Sequence, residues 1–496
     1  MPSPNDFDIP ETTIAEIHAA FQAGTLTARQ LVQGYLDRIA AYDKEGPAIN
    51  ALISLDPRAL GEADRLDTAF GSSGLVGPLH GIPVIMKDQA NIAGMPTSLG
   101  SVLFEDHIAE SDCFVVSALK KAGAIIIGKA TLGELGGGDT HGSLFGSTRN
   151  VYDLERTAGG SSGGSAAAVS ANFATLAVGQ EGYASIRRPS TWNGIVGMRP
   201  TAGLVSRTGV YGCWPNINGS LGPMARTVAD LAKLLDSMVG YDPNDPVTAH
   251  GVGRAPKSFA DGLDIDALRG ARIGILREPL GFATEPDAED FQAIEGIFGE
   301  AVDDLRKLGA EVVDPIVIPD LAALLAKLAR SVDDDEAAFR TFAASSRNPR
   351  YATRKDVSDS PLFRKVVKQA RDRWLHGDSA EAHHGYLRAR ETLMARLLCV
   401  MADHQLDAIV HKAVEHQPTL IRDGVNPPYV DQKGAPYINT FLVFVPSIVV
   451  PAGFMRNSLP AGITFLGRPY DDAGMIRYAY AYERGTQHRR APGTTP

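Results

Sequence analysis

The chain has 496 residues, 44% of them hydrophobic and 21% charged, which is ample for a large buried core and ordinary for a soluble globular protein. A net charge of −10 argues against a nucleic-acid or anionic-membrane surface as the principal partner. The three cysteines, Cys113, Cys213 and Cys399, are scattered and give neither a disulfide framework nor a zinc spacing. The acidic N-terminus has no apolar h-region, and no apolar run reaches the roughly 18 residues of a membrane span, so a cytoplasmic protein is expected.

Two helices open the chain. Thr13 with Glu16, and Thr27 with Gln30, each fit a capping box, and Ile14, Ile17, Phe21 and then Leu31, Tyr35, Ile39 recur at helical spacing. Short apolar runs at 82–86 and 124–127 suit strands buried on both faces, with a helix over 113–122 between them. A Gly/Ser-rich loop at 159–165 leads into a helix over 165–172 and a strand over 174–178. This strand–helix rhythm predicts an α/β sheet with substantial parallel pairing. The stretch 241–262, with its Asp, Pro and Gly, reads as an exposed loop. Further strands are expected at 272–276, 311–318, 408–410, 446–450 and 462–466. Residues 321–405, rich in Ala, Arg, Asp and Leu, read as a helical cap or insert over the same core, with the acidic run Asp333-Asp334-Asp335-Glu336 facing water at a helix start.

Gly159-Gly160-Ser161-Ser162-Gly163-Gly164-Ser165 is the most informative stretch, because glycines let backbone and hydroxyl approach a reacting carbonyl closely. Gly-x-Ser-x-Gly also fits a nucleophile elbow. Glu155-Arg156-Thr157-Ala158, however, does not make the strand that an elbow requires. Upstream, Gly81-Ile82-Pro83-Val84-Ile85-Met86-Lys87-Asp88 sets one lysine at the end of an apolar segment. Downstream comes Ser185-Ile186-Arg187-Arg188-Pro189-Ser190, with Ser185 24 positions after Ser161. A lysine serves as a base near neutral pH only if desolvation or a neighbour lowers its pKa, and a buried strand end supplies desolvation.

Two serines and one lysine in this order resemble the amidase signature family, whose members cleave C–N bonds with a Ser–Ser–Lys triad. Blocks at 128–131, 146–150, 197–201, 222–226, 450–454 and 459–463 extend the resemblance over most of the chain. It implies one domain over 1–496, with a mixed central sheet covered by helices on both faces and a signature core at about 75–230. It also implies Lys87, Ser161 and Ser185 as catalytic residues, a cis peptide bond before Ser161, and an oxyanion hole of backbone N–H groups from Gly182, Tyr183, Ala184 and Ser185. Lys129 is a rival base in a block that is structural in the family, and Arg187 is expected to brace the turn.

The resemblance has departures. Gln180-Glu181-Gly182-Tyr183-Ala184 stands where the family commonly has Thr-Asp-x-Gly-Gly, so Tyr and Ala restrict φ and add bulk beside the scissile bond. Trp192-Asn193 replaces an aromatic followed by cysteine, and Arg188 replaces a usual apolar residue. Ser162, Trp192, Tyr183 and the stretch 437–442 are candidates for a substrate pocket. His411, His416, His383 and His384 lack a ligand spacing and read as surface or capping residues; the Ser–Ser–Lys chemistry calls for no metal or other cofactor.

The expected activity is hydrolysis of a carboxylic amide of a small molecule through a Ser185 acyl-enzyme. Carbamate, aryl-amide, urea-type and ester substrates are alternatives for the same triad. An ammonia-supplying subunit for amidation of charged transfer RNA, and a non-catalytic binding protein on the same fold, are the remaining rivals. Neither nucleic acid nor membrane is expected as a partner, and nothing in the sequence speaks against a homodimer.

Overall fold

A computed structural model describes residues 7–212, 219–456 and 458–496. Both N-terminal helices form where the capping boxes place them: α1 (Ile14–Ala23) and α2 (Ala28–Tyr42) each have the reciprocal threonine–N3 hydrogen bonds. An 11-stranded mixed sheet occupies the centre. Its strands in chain order are β1 (Leu52–Leu55), β2 (Pro83–Lys87), β3 (Ile125–Ala130), β4 (Leu176–Glu181), β5 (Val196–Arg199) and β6 (Ser220–Ala225), then β7 (Arg272–Leu276), β8 (Glu311–Ile316), β9 (Ala408–Lys412), β10 (Ser447–Phe454) and β11 (Pro460–Leu466). They lie in the order β1-β3-β2-β4-β6-β5-β10-β11-β9-β7-β8.

Pairing is parallel where a helix connects the strands, as for β2 with β3 and β4, and β7 with β8 and β9. It is antiparallel through the middle of the sheet, from β4 to β6 and across β10 and β11. Every residue of β2 is buried, as a strand covered on both faces requires. Helices α3 (Ala59–Ser73), α4 (Phe114–Lys121), α5 (Gly163–Ser170), α6 (Arg187–Trp192), α7 (Val228–Met238) and α8 (Glu289–Lys307) pack around this sheet. The helix read from 165 begins two residues earlier, at Gly163, so the glycine loop runs straight into its first turn.

Residues 321–405 are helical as expected, with α9 (Leu321–Leu325), α10 (Val332–Ala343), α11 (Arg354–Asp359), α12 (Lys368–Leu375) and α13 (Ala380–Asp403). The segment docks in two places. Leu393, Leu397 and Met401 of α13 join Leu276, Ile316 and Ile409 of the sheet, while Phe339, Phe342 and Trp374 close over Leu99, Leu103 and Phe104. The acidic run does start a helix, but two of its acids are not left to water: Asp335 pairs with Arg330 and Arg354, and Glu336 pairs with Arg340. The helices α14 (Ile421–Val425) and α15 (Asp472–Thr486) complete the chain.

The stretch 241–262 is less exposed than its composition suggests. Asp245 is buried against Arg207 at 2.6 Å, and Asp242 accepts from Ser206 Oγ at 2.6 Å, which anchors the loop to the core. Cys113 is buried and Cys399 exposed, both as thiols, while Cys213 lies outside the described residues.

Candidate active site

Lys87 ends β2 and is wholly buried. Its Nζ donates to Ser161 Oγ at 2.8 Å and to the carbonyl of Gln180 at 3.2 Å. Ser161 lies in the tight loop before α5, and the Gly160–Ser161 peptide bond is cis. Glycine at 160 is required by close approach, since a Cβ there would meet the Gly138 carbonyl oxygen at 2.3 Å. The Ser161 hydroxyl also donates to the carbonyl of Gly136 at 3.0 Å. Lysine amine and serine hydroxyl are thus in direct contact in a water-excluded pocket, an arrangement that can pass a proton between them.

Ser185 follows β4, in the turn into α6. The two serine segments meet, because the N–H of Ser162 donates to the carbonyl of Ser185 at 3.1 Å. Ser185 is 8% exposed. At the base of this turn the buried Glu181 carboxylate accepts from the N–H of Ile186 at 2.9 Å, the N–H of Arg187 at 3.0 Å and Arg187 Nε at 2.7 Å. Among the described residues, the N–H groups of Gly182, Tyr183, Ala184 and Ser185 have no protein acceptor. The following two, Ile186 and Arg187, are taken by Glu181. Arg187 braces the turn as expected, adding bonds to the carbonyls of Tyr183 and Pro436. The Tyr183 ring stacks on Tyr437, with centroids 5.0 Å apart and planes 6° from parallel, and burial pushes its hydroxyl pKa up.

Two pocket candidates point elsewhere. Trp192 is wholly buried, with its indole N–H donating to the carbonyl of His416 at 3.0 Å. Ser162 is equally buried and exchanges hydrogen bonds with the main chain of Gln180. Both side chains belong to the packing under the loop. All six residues of α6 are buried, so Trp192 has core on every side. In the 437–442 stretch only Tyr437 is more than marginally exposed; the rest is core.

Lys129 is a buried cation with a structural partner, 2.8 Å from Asp88 Oδ1 and bonded to Pro96 O and Thr97 Oγ1. His411 and His416 are not surface residues. Burial drives the His411 pKa down to about 3, and His416 is held between Asp290 and the N–H of Glu285. Among the described residues no three His, Cys, Asp or Glu side chains gather as metal ligands.

The sequence reading missed three charged residues behind the loop: Asp139, Asp431 and Arg373. Arg188 was visible only as a departure from the family pattern, and its ion pair with Asp139 at 2.7 Å is the reason a cation is tolerated there.

The chain is similar to known proteins along most of its length. The sequence model of the Amidase family matches residues 30–476. The A-type chain of the glutamyl-tRNA(Gln) amidotransferase of Symbiobacterium thermophilum is 32% identical, over 96% of this chain and 97% of that protein. Among solved structures, a native peptide amidase from Stenotrophomonas maltophilia superposes with a TM-score of 0.87 at 34% identity, covering 99% of this chain and all of that one. The corresponding glutamyl-tRNA(Gln) amidotransferase chain of Thermotoga maritima superposes with a TM-score of 0.73 at 27% identity, covering 99% of each chain. A family match spanning most of the sequence, on a fold shared end to end with these enzymes, means that the chain belongs to the Amidase family, the amidase signature enzymes.

Proposed function

We propose that the protein is an amide hydrolase in which Ser185 is the nucleophile and Ser161 relays its proton to Lys87. The observation that carries this reading is the buried 2.8 Å contact between Lys87 Nζ and Ser161 Oγ. With Lys87 neutral, the Ser185 proton passes through Ser161 to Nζ as Ser185 Oγ attacks the carbonyl carbon. The oxyanion is received by the N–H groups of 182–185, a role supported by their having no protein acceptor among the described residues. The proton then returns through Ser161 to the leaving nitrogen, the C–N bond breaks, and ammonia or an amine departs. Water attacks the acyl-enzyme by the same relay and regenerates Ser185. The relay draws on no cofactor.

Similarity to the peptide amidase along the whole chain favours hydrolysis of a small amide, with peptide amides among the substrates to try. A second reading, one component of a multi-chain amidotransferase, is favoured by the 32% identity to the glutamyl-tRNA(Gln) amidotransferase relative. One experiment separates them. The purified chain alone is assayed on aliphatic amides, peptide amides, anilides, carbamates and esters, and its acyl adduct is mapped by mass spectrometry. Turnover without partner chains and an adduct on Ser185 are expected; Ser185→Ala should lose several orders of magnitude in rate. An adduct on another residue would overturn the nucleophile assignment, and activity appearing only with added partner chains would favour the second reading.

A further inference from the structure

The carbonyl of Gly160 belongs to the peptide group whose nitrogen is that of Ser161, so the group that holds this carbonyl sets the direction of the Ser161 side chain. Arg188 Nη2 donates to it at 2.9 Å. The guanidinium is wholly buried, lies 5.1 Å above the Trp192 ring, and pairs with Asp139 Oδ1 at 2.7 Å. Asp139 backs directly onto the loop, since a Cβ on Gly160 would come within 3.0 Å of the Asp139 Cα.

The same network reaches the helical segment. The N–H of Asp139 donates to Asp431 Oδ1 at 2.7 Å, and Asp431 Oδ2 accepts from Arg373 Nη1 of α12 at 2.7 Å. Arg373 Nη2 donates to the carbonyl of Gly137 at 2.8 Å, one residue from the Gly136 carbonyl that takes the Ser161 hydroxyl. Charged groups therefore grip both main-chain segments that contact Ser161.

Burying the Arg188–Asp139 ion pair is costly, and well-packed apolar side chains would serve stability as well or better. What a guanidinium adds is a strong, directional bond to one carbonyl oxygen. Resting on the relay described above, we propose that Arg188, fixed by Asp139, is a positioning residue that aims Ser161 between Lys87 and Ser185, and that Arg373 steadies the facing loop from the helical segment. This gives the segment a part in catalysis without contact with substrate.

The test compares Arg188→Met, Arg188→Lys and Arg373→Met, each alone and combined with Ser161→Ala, on one amide substrate of the panel. Arg188→Met should lower kcat by about 10- to 100-fold with little change in KM, the scale of a misplaced catalytic group. Arg188→Lys should recover part of that loss, and Arg373→Met should lower kcat by several-fold. In the Ser161→Ala background the Arg188 and Arg373 changes should cost almost nothing more, because the residue they act through is gone. If Arg188→Met does not fold, the lysine and Arg373 variants decide. Losses of the same factor in both backgrounds, or unchanged kcat in the single variants, would overturn the proposal. Should Ser161→Ala itself leave turnover unchanged, the relay falls as well. Turnover lost in Ser161→Ala but kept in the arginine variants refutes only the positioning role.

Discussion

Arg187→Met tests whether the turn carrying Ser185 is held by its buried ion pair. Arg187 and Glu181 side chains are both 0% exposed, and Nε and Oε1 are 2.7 Å apart. Removing one partner leaves a buried charge uncompensated, which costs about 3–5 kcal/mol. The structure points to the low end of that range. Glu181 keeps two main-chain donors, and Arg199 lies close enough for the two charges to be felt: burial above all holds its pKa down, to about 10, with Glu181 pulling it up and Arg187 pushing it down. Without Arg187, Arg199 becomes the neighbouring positive charge for Glu181. Unfolding entropy scales at about 2 cal/mol/K per residue, so a loss of about 3 kcal/mol in a chain this long lowers Tm by about 3 °C. The paired variant Glu181→Gln with Arg187→Met removes both charges and should lose less than the single change. Differential scanning calorimetry at pH 7 and one scan rate measures both. A Tm for Arg187→Met within about 1 °C of the parent, or a double variant less stable than the single, would refute the argument.

Lys129→Met should strand Asp88 in the core and lower thermal stability by a comparable amount; an unchanged Tm would show that the pair is dispensable. Glu483, whose Oε1 accepts from the N–H of Val228 at 2.9 Å, has its pKa raised to about 8, chiefly by burial. Its folded pKa lies above the unfolded value, so its contribution is full below about pH 4.5 and is lost as pH rises through about 8. Relative to Glu483→Gln, the parent should therefore lose stability between pH 5 and 8, by about 3–4 kcal/mol, and parallel Tm–pH curves would contradict this. Tyr183→Ala breaks the stack with Tyr437 and should shift relative rates between small and bulky acyl groups by roughly tenfold to a hundredfold. An equal rate loss for every acyl group would assign the ring to folding or chemistry instead.

What could be read from sequence follows the range of the interactions. Capping boxes and buried strands are local, and the expected 272–276 strand matches β7 residue for residue. Strand β6, Ser-Leu-Gly-Pro-Met-Ala, has no apolar run or alternation, and forms because antiparallel neighbours flank it on both sides. Lys87 and Ser161 were legible because the chemistry proposed for them sets their residue types. The burial of Trp192 was not, since a helix buried on every side shows no periodicity that singles out an inward residue. Asp431 lies 292 residues from the Asp139 N–H it accepts from, a separation no local pattern reports.

The departure at Tyr183 and Ala184 has a backbone explanation. Replacing glycines was expected to restrict φ, and the restriction is harmless, because neither residue adopts a positive φ and Gly182 does not either. The turn is instead shaped from outside. Glu181 takes the N–H groups of Ile186 and Arg187, Arg187 reaches back to the Tyr183 carbonyl, and Thr440 Oγ1 donates to the carbonyl of Gly182. These contacts fix carbonyls and downstream amides, and none of them takes an amide of 182–185, so the donors proposed for the oxyanion depend on no side chain within the turn. A large ring at 183 is therefore compatible with the chemistry. Stacked on Tyr437, it packs against a ring outside the turn and takes none of the main-chain donors beside it.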